Sequence, residues 1–297
     1  MMLSLDYPFG RPLTPAVLVR RARLLPPGAV PVVTPGEHVA PAQPIAEVHG
    51  AEGQRIPVPA GLAGRVTDVS GAERVSIEGV AAALHGLVGL GGQAAGPVAV
   101  LPRGESPALV PIARGSVILF PHQLPLTLMQ RAAASGAAGI IAASASAREL
   151  EAFARADLTA LLDGLAPDAP PAPLTVVLTE GLGAASMRTP IYQHLSAHLH
   201  EVALLDGTTL PRQGVRPEVL LSAPGVMPHS VPADPSIAVG ALVSVTAGPR
   251  RGARGEVIYA FPAPQVTAGG VRAPAVRVRF EDGTVAVIPA HALDRLG

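Results

Sequence analysis

Residues 239–257 read Val-Gly-Ala-Leu-Val-Ser-Val-Thr-Ala-Gly-Pro-Arg-Arg-Gly-Ala-Arg-Gly-Glu-Val. Val239, Ala241, Val243 and Val245 alternate with Gly240, Leu242, Ser244 and Thr246, the period-two pattern of a strand with one packed face. Gly248 and Pro249 end that strand. Gly252 and Gly255 permit the positive φ angles or bulges of a tight return before Val257 and Ile258 resume. Downstream, Val276, Val278 and Phe280 alternate with Arg277 and Arg279, Asp282 and Gly283 give a hairpin-turn signal, and residues 285–288 supply the return strand. The pattern predicts a small barrel of short strands.

This stretch resembles a KOW motif, the β-hairpin core of the SH3-like barrel in NusG-type transcription factors and several ribosomal proteins. The resemblance covers residues 236–297 and implies a C-terminal SH3-like β-barrel that contacts RNA, ribosome or RNA polymerase. Carried onto this chain, it implies partner or RNA binding by Arg250, Arg251 and Arg254 in the motif loop, and by Arg277 and Arg279 on one strand face. Tyr259 joins them, sharing a face with Phe261 at i and i+2, as a stacking surface or as barrel core; Phe261 is expected in the core. RNA and protein partners both use arginine, so both stay open.

Charge separates this segment from the rest. Residues 236–297 hold seven Arg and four acids, which is +3, while the preceding residues hold fifteen Arg and eighteen acids, which is −3. The zero net charge of the whole hides the split.

All 22 basic residues are Arg. Without lysine there is no Schiff base, no P-loop lysine and no covalent biotin or lipoate. Cysteine is also absent, which excludes disulfides, thiolate nucleophiles and Cys-ligated metals. The start of the chain lacks the basic and continuously apolar run of a signal peptide, so a cytoplasmic location is expected. With 33 Pro and 32 Gly the chain is punctuated into short elements, and with no Trp, five Phe and three Tyr its cores must come from Val, Leu, Ile and Ala. The uncharged segment 79–102 is too rich in glycine to make a membrane helix and reads as core strands joined by glycine turns.

Residues 12–102 form the first expected domain. Short apolar runs around Val30, Val39, Ile45, Val48, Val66 and Ile77 are separated by turns at Gly28, Gly36 and Gly64. The pattern resembles the barrel-sandwich hybrid of biotinyl and lipoyl carriers and of some electron-transport subunits. Where those carriers present their modified lysine, residues 51–55 read Ala-Glu-Gly-Gln-Arg. A carrier role is thereby excluded, and docking or structural support remains. His38 and His49 receive no role.

The second expected domain, residues 103–225, is α/β with parallel strands. Residues 115–120 read as a buried strand, 126–135 as a helix with Leu128, Met129 and Ala132 packed, and 139–143 as the next strand. A helix at 147–154, a proline-rich loop at 167–173 and a strand at 174–178 follow. The run weakly resembles the core of swivelling or protease-associated domains. In parallel sheets ligands collect beyond the carboxyl ends of the strands. Those ends offer Ser144 and Ser146 after one strand, and Thr179 and Glu180, with Arg188 nearby, after another.

His194 and His198 stand at i and i+4, as a zinc pair would, but lack the intervening Glu and a third ligand, so a solvated helix face is expected. The spaced glycines of residues 86–92 lack the βαβ context and acidic ribose partner of a nucleotide loop. A proline-rich linker is expected at 223–235. No catalytic set stands out and no cofactor is expected. The fold expected is therefore mixed, β-rich and multidomain. The functional expectation is a non-enzymatic adaptor or scaffold that docks on a protein or ribonucleoprotein assembly through its β-modules, without a membrane. The alternative is a ligand-binding or enzymatic central domain built on Glu180, Thr179, Ser144 and Arg188.

Overall fold

A computed structural model describes residues 13–50, 54–101, 111–166, 169–210, 215–227, 237, 239–245, 249–250, 252–263, 265–266 and 272–295. The chain divides into two compact units, Pro12–His229 and a second made of Ser230–Gly297 with Met1–Arg11. It is strand-rich, with a large mixed sheet that includes parallel strands.

The larger unit opens with β1 (Leu13–Leu24), β2 (Ala29–Pro31), β3 (His38–Val39), β4 (Pro44–His49), β5 (Arg55–Pro59), β6 (Gly64–Ser70) and β7 (Arg74–His85). β2, β4 and β5 make a small sheet of their own, whereas β3 pairs with β6, and β6 and β1 both pair with β7. There follow β8 (Val88–Leu90), β9 (Gln93–Val100), β10 (Val117–Gln123), α1 (Leu126–Ala134), β11 (Gly139–Ala145), α2 (Ala147–Ala154), α3 (Leu158–Leu162), β12 (Thr175–Leu182), α4 (Thr189–Ala197), β13 (Val202–Asp206) and β14 (Glu218–Ser222). Residues 79–101 are thus largely strand, as expected; Gly86, Gly91 and Gly92 join the strands, whereas Gly79, Gly89 and Gly96 lie inside them. Among the described residues no helix is long and apolar enough to cross a membrane.

β9, β10, β11 and β12 lie side by side and parallel, with α1 carrying the chain from β10 to β11. The remaining neighbours are antiparallel: β12 with β8, β9 with β13, β13 with β14, and β14 with β7. Only Gly86 and Leu87 separate β7 from β8, and their N–H groups donate to Pro217 O and Leu178 O, each at 2.8 Å. The ladder therefore returns to its start. β7 and β8, taken together, close a ring through β14, β13, β9, β10, β11 and β12. Because β9 borders both β10 and β13, one sheet runs across position 102/103, where the sequence passes from strands alone to alternating strand and helix.

Period-two alternation sorts the ring's side chains. Leu84, Leu119, Ile141, Val177, Leu205 and Val219 share one cluster with Ile191 and Leu195 of α4. Their neighbours Ile118, Ile140, Val176 and Leu178 cluster with residues of α1, α2 and α3. On the other flank Ala81, Ala83, Leu204 and Leu220 meet Ile45, Val75 and Ile77 of the N-terminal strands and Leu62 of the turn between β5 and β6. Burying each large aliphatic chain contributes about 1.5–3 kcal/mol. Crowding explains the glycines at the closure. A Cβ on Gly89 would lie 2.6 Å from Gly207 O and 2.9 Å from Val176 O.

The smaller unit contains β15 (Leu242–Val245), β16 (Arg254–Ala260), β17 (Gln265–Val266), β18 (Arg272–Ala273), β19 (Ala275–Phe280), β20 (Val285–Pro289), a 3-10 turn at Ala290–Ala292 and β21 (Leu293–Arg295). Its main sheet has the order β20-β19-β16-β15-β21, and β17 pairs with β18. Ala241, Val243 and Val245 are buried with Val257, Val276, Val278 and Phe280, as the alternation predicts. Two expectations are corrected. Val239 precedes the strand and is 61% exposed, because Gly240 at φ 90° turns the chain between them. Gly252 does take a positive φ of 84°, but Gly255 sits inside β16, where a Cβ would lie 2.4 Å from Arg279 O. Close approach, not turning, requires glycine at that position. Thr246, Gly248, Arg251, residues 51–53 and 167–168, and most of the expected linker lie outside the described residues.

Candidate docking face and strand-end cluster

The outer face of the smaller unit's sheet gathers arginines with apolar side chains. Leu242 lies opposite Glu256, Glu256 opposite Arg279, and Arg279 opposite Val285. In a parallel row, Tyr259 lies opposite Arg277, and Arg277 opposite Val287. Directly opposed residues share a face. All of them are exposed, Leu242 by 57%, Val285 by 49%, Tyr259 by 46% and Val287 by 39%.

Strict alternation would turn Tyr259 inward with Val257. A register shift sets Ile258 and Tyr259 together against a single step of β19, and this bulge turns Tyr259 outward. Its ring meets that of Phe261 edge-on at 5.0 Å and 81°. The Arg277 guanidinium carbon stands 5.7 Å from the Tyr259 centroid and 5.6 Å from that of Phe261, within cation–π range. Phe261 is partly buried in this stack and lies outside the cluster around Val243 and Phe280, which corrects its placement in the core.

The implied loop arginines divide. The Arg250 guanidinium lies 4.7 Å over the Phe280 ring, donates to Thr284 Oγ1 at 2.8 Å and stands 3.8 Å from Asp282 Oδ2. The Thr284 hydroxyl and N–H donate to Asp282 and, with Arg250 adjacent, hold its carboxyl below the usual range. Arg250 therefore fastens the motif loop to the 281–284 turn. Arg254 is exposed on the same face of β16 as Glu256.

The strand ends of the larger unit bring Ser144, Thr179, Glu180 and Arg188 together, but their polar atoms are used inward. Ser144 is fully buried; its Oγ accepts from Ala185 N and donates to Ala185 O, both at 2.9 Å. Thr179 is 1% exposed and donates to Ala142 O at 3.4 Å. Glu180 Oε1 accepts from Arg188 Nε at 3.1 Å and from its N–H at 3.3 Å. This carboxylate sits at the N-terminus of α4, where the helix dipole favours it. Gly181, at φ 79°, and a register shift opposite Ser144 produce the bend that places Glu180 there.

His194 and His198 stack with centroids 4.6 Å apart, and His198 Nδ1 lies 2.8 Å from His194 O. Burial and the neighbouring His198 lower the His194 pKa. Among the described residues no group of three or more His, Asp or Glu could hold a metal.

Sequence reasoning missed a polar network that ties β1 to the ring. Arg21 makes two bonds to Glu218, at 2.7 and 2.6 Å. Arg23, 4% exposed, donates to Gln93 Oε1 at 3.1 Å, and Gln93 donates to Ala22 O at 2.9 Å and Asp206 Oδ2 at 3.2 Å. Burial pushes Arg23 down to about 10, with Asp206 opposing the fall. The only sequence signal was the dense run Arg20, Arg21, Arg23 on a strand. It also missed Leu242, Val285 and Val287, whose outward role depends on the register beside the arginines. No protein-family model matches the chain, and neither a curated protein nor a solved structure matches it.

Proposed function

We propose that the protein is a non-enzymatic adaptor or scaffold that docks on a larger protein or ribonucleoprotein assembly, with the outer face of β16, β19 and β20 as the contact. The observation carrying this reading is the stack of exposed Arg277 and Tyr259 on half-buried Phe261, flanked by Arg279, Val285, Val287 and Leu242. Interface hot spots are enriched in tyrosine and arginine, and the same pair can stack on bases and meet phosphates. The order β20-β19-β16-β15-β21, with a 3-10 turn before the last strand, supports an SH3-like barrel of KOW type. The small N-terminal sheets support a barrel-sandwich-like module in a structural or docking role.

The test uses the full chain and two double variants, R277E/R279E and V285D/V287D. Binding to mixed cellular RNA is followed across a salt series, and co-sedimentation with ribosomal particles is measured in parallel. Loss of steeply salt-dependent RNA binding in R277E/R279E supports a ribonucleoprotein contact. Loss of co-sedimentation in V285D/V287D with no RNA binding by the parent supports a protein contact. If neither variant departs from the parent in either assay, the reading falls.

A further inference from the structure

The larger unit carries an open groove between β1 and β6, of about 370 Å³, lined by Arg20, Pro35, Gly36, Arg65, Val66 and Thr67. We propose that this groove seats a phosphate group carried by a small molecule. Arg20 and Arg65 both lie opposite Glu78 of β7. Their Cα atoms are therefore two strand spacings apart, roughly 10 Å, and their side chains rise from one face.

Both arginines are exposed, and among the described residues neither guanidinium makes a hydrogen bond or ion pair. Arg21, Arg55, Arg74 and Arg188 of the same unit each have a carboxylate oxygen at 2.6 to 3.9 Å. Two unspent planar forks facing one groove match the oxygens of a phosphate, which guanidinium binds bidentately.

The walls are fixed in advance. Gly36, at φ 95°, donates its N–H to Val66 O, and the Val66 N–H donates to Glu37 O, both at 2.8 Å. These bonds tie the Pro35–Gly36 turn to β6. A register shift between Val66 and Asp68 makes Thr67 the bulged residue of β6, and its hydroxyl donates to Ser76 O at 3.3 Å. The groove volume falls at the lower end of small-molecule sites, roughly 300–1,000 Å³. Glu78 belongs to the same row and opposes an anion, which leaves the row at +1 and fixes the sign of its own substitution.

Calorimetric titration of the full chain at low salt tests this with inorganic pyrophosphate and, separately, a mixed-sequence RNA oligonucleotide. Saturable pyrophosphate binding is expected, weakened about tenfold or more by Arg20→Gln and by Arg65→Gln, and tightened by Glu78→Gln. Arg148→Gln on α2 and the R277E/R279E variant should leave it unchanged, which separates this site from the docking face. Absence of saturable binding at about 10 mM pyrophosphate, or binding indifferent to Arg20 and Arg65, overturns the proposal. RNA binding lost in the two arginine variants without pyrophosphate binding also overturns it, and assigns the groove to a nucleic-acid backbone. All six substituted side chains are exposed, and circular dichroism of each variant confirms that the fold is kept.

Discussion

At the ends of β11 and β12 the polar side chains are drawn into the fold, whereas on the outer face of β16, β19 and β20 they are left to solvent. Both groups look alike in sequence, as hydroxyls, carboxylates and arginines on or just after strands. Ser144, Thr179, Glu180 and Arg188 each have a partner inside the larger unit. Among the described residues Arg277 rests on aromatic faces and lies beside exposed valine. A buried polar group must be satisfied to avoid a penalty of about 1–3 kcal/mol, so the bonds of Ser144 and Thr179 stabilise a bend, while Glu180 and Arg188 pair with each other nearer the surface. The second set is free to meet another molecule.

The sharpest way to break this comparison is to disturb the ring that holds the strand ends. Ile141→Ala, at a fully buried position, should lower the stability of the larger unit by about 2–5 kcal/mol in urea unfolding. A loss well under 1 kcal/mol would mean the ring interior is not packed as described. Gly89→Ala should cost about 1–3 kcal/mol, since backbone oxygens surround the new methyl group.

Ser144→Ala comes next. It leaves the Ala185 N–H without its acceptor and should cost about 1–3 kcal/mol. Were the strand-end cluster a ligand site instead, this variant would lose ligand affinity while its urea midpoint stayed put. Glu180→Gln should cost no more than about 1 kcal/mol, because Arg188 is 44% exposed and its ion pair is screened.

A pH effect belongs to the larger unit. His85 lies opposite Glu218, and burial lowers its pKa; Glu218 pulls it up, while Arg216 and Arg21 push it down. The unfolded chain therefore takes up a proton more readily than the folded one. The His85 contribution is neutral above the ordinary value of 6.5 and becomes destabilising as pH falls below it, down to the folded value. Urea midpoints measured between pH 7.5 and 5 should fall, and His85→Gln should flatten that slope. An unchanged slope would remove His85 as the cause.

The smallest stability effects are expected on the outer face. Tyr259→Ala and Arg277→Ala should each cost less than about 1 kcal/mol, with a coupling of about 0.5–1 kcal/mol in a double-mutant cycle. Partner binding, by contrast, should be lost in both. A large stability loss with binding intact would place this face among the structural parts of the unit and erase the contrast.

Local sequence determined the elements. Alternation of Val276, Val278 and Phe280 with Arg277 and Arg279 gave the inward and outward faces of β19, and the apolar runs at 115–120, 139–143 and 174–178 gave three of the parallel strands, because side-chain period follows directly from backbone geometry. Lysine-free composition alone excluded whole classes of covalent chemistry. Tertiary structure decided what local pattern cannot encode. The meeting of β8 with β12 joins residues 88–90 to 176–178, a pairing over a long stretch of chain that leaves only crowded glycines as its trace. One bulge in β16 turned Tyr259 from the core to the surface. Whether an arginine is spent or free depends on which carboxylate the folded chain brings within reach, and that distance is set by strands far apart in sequence.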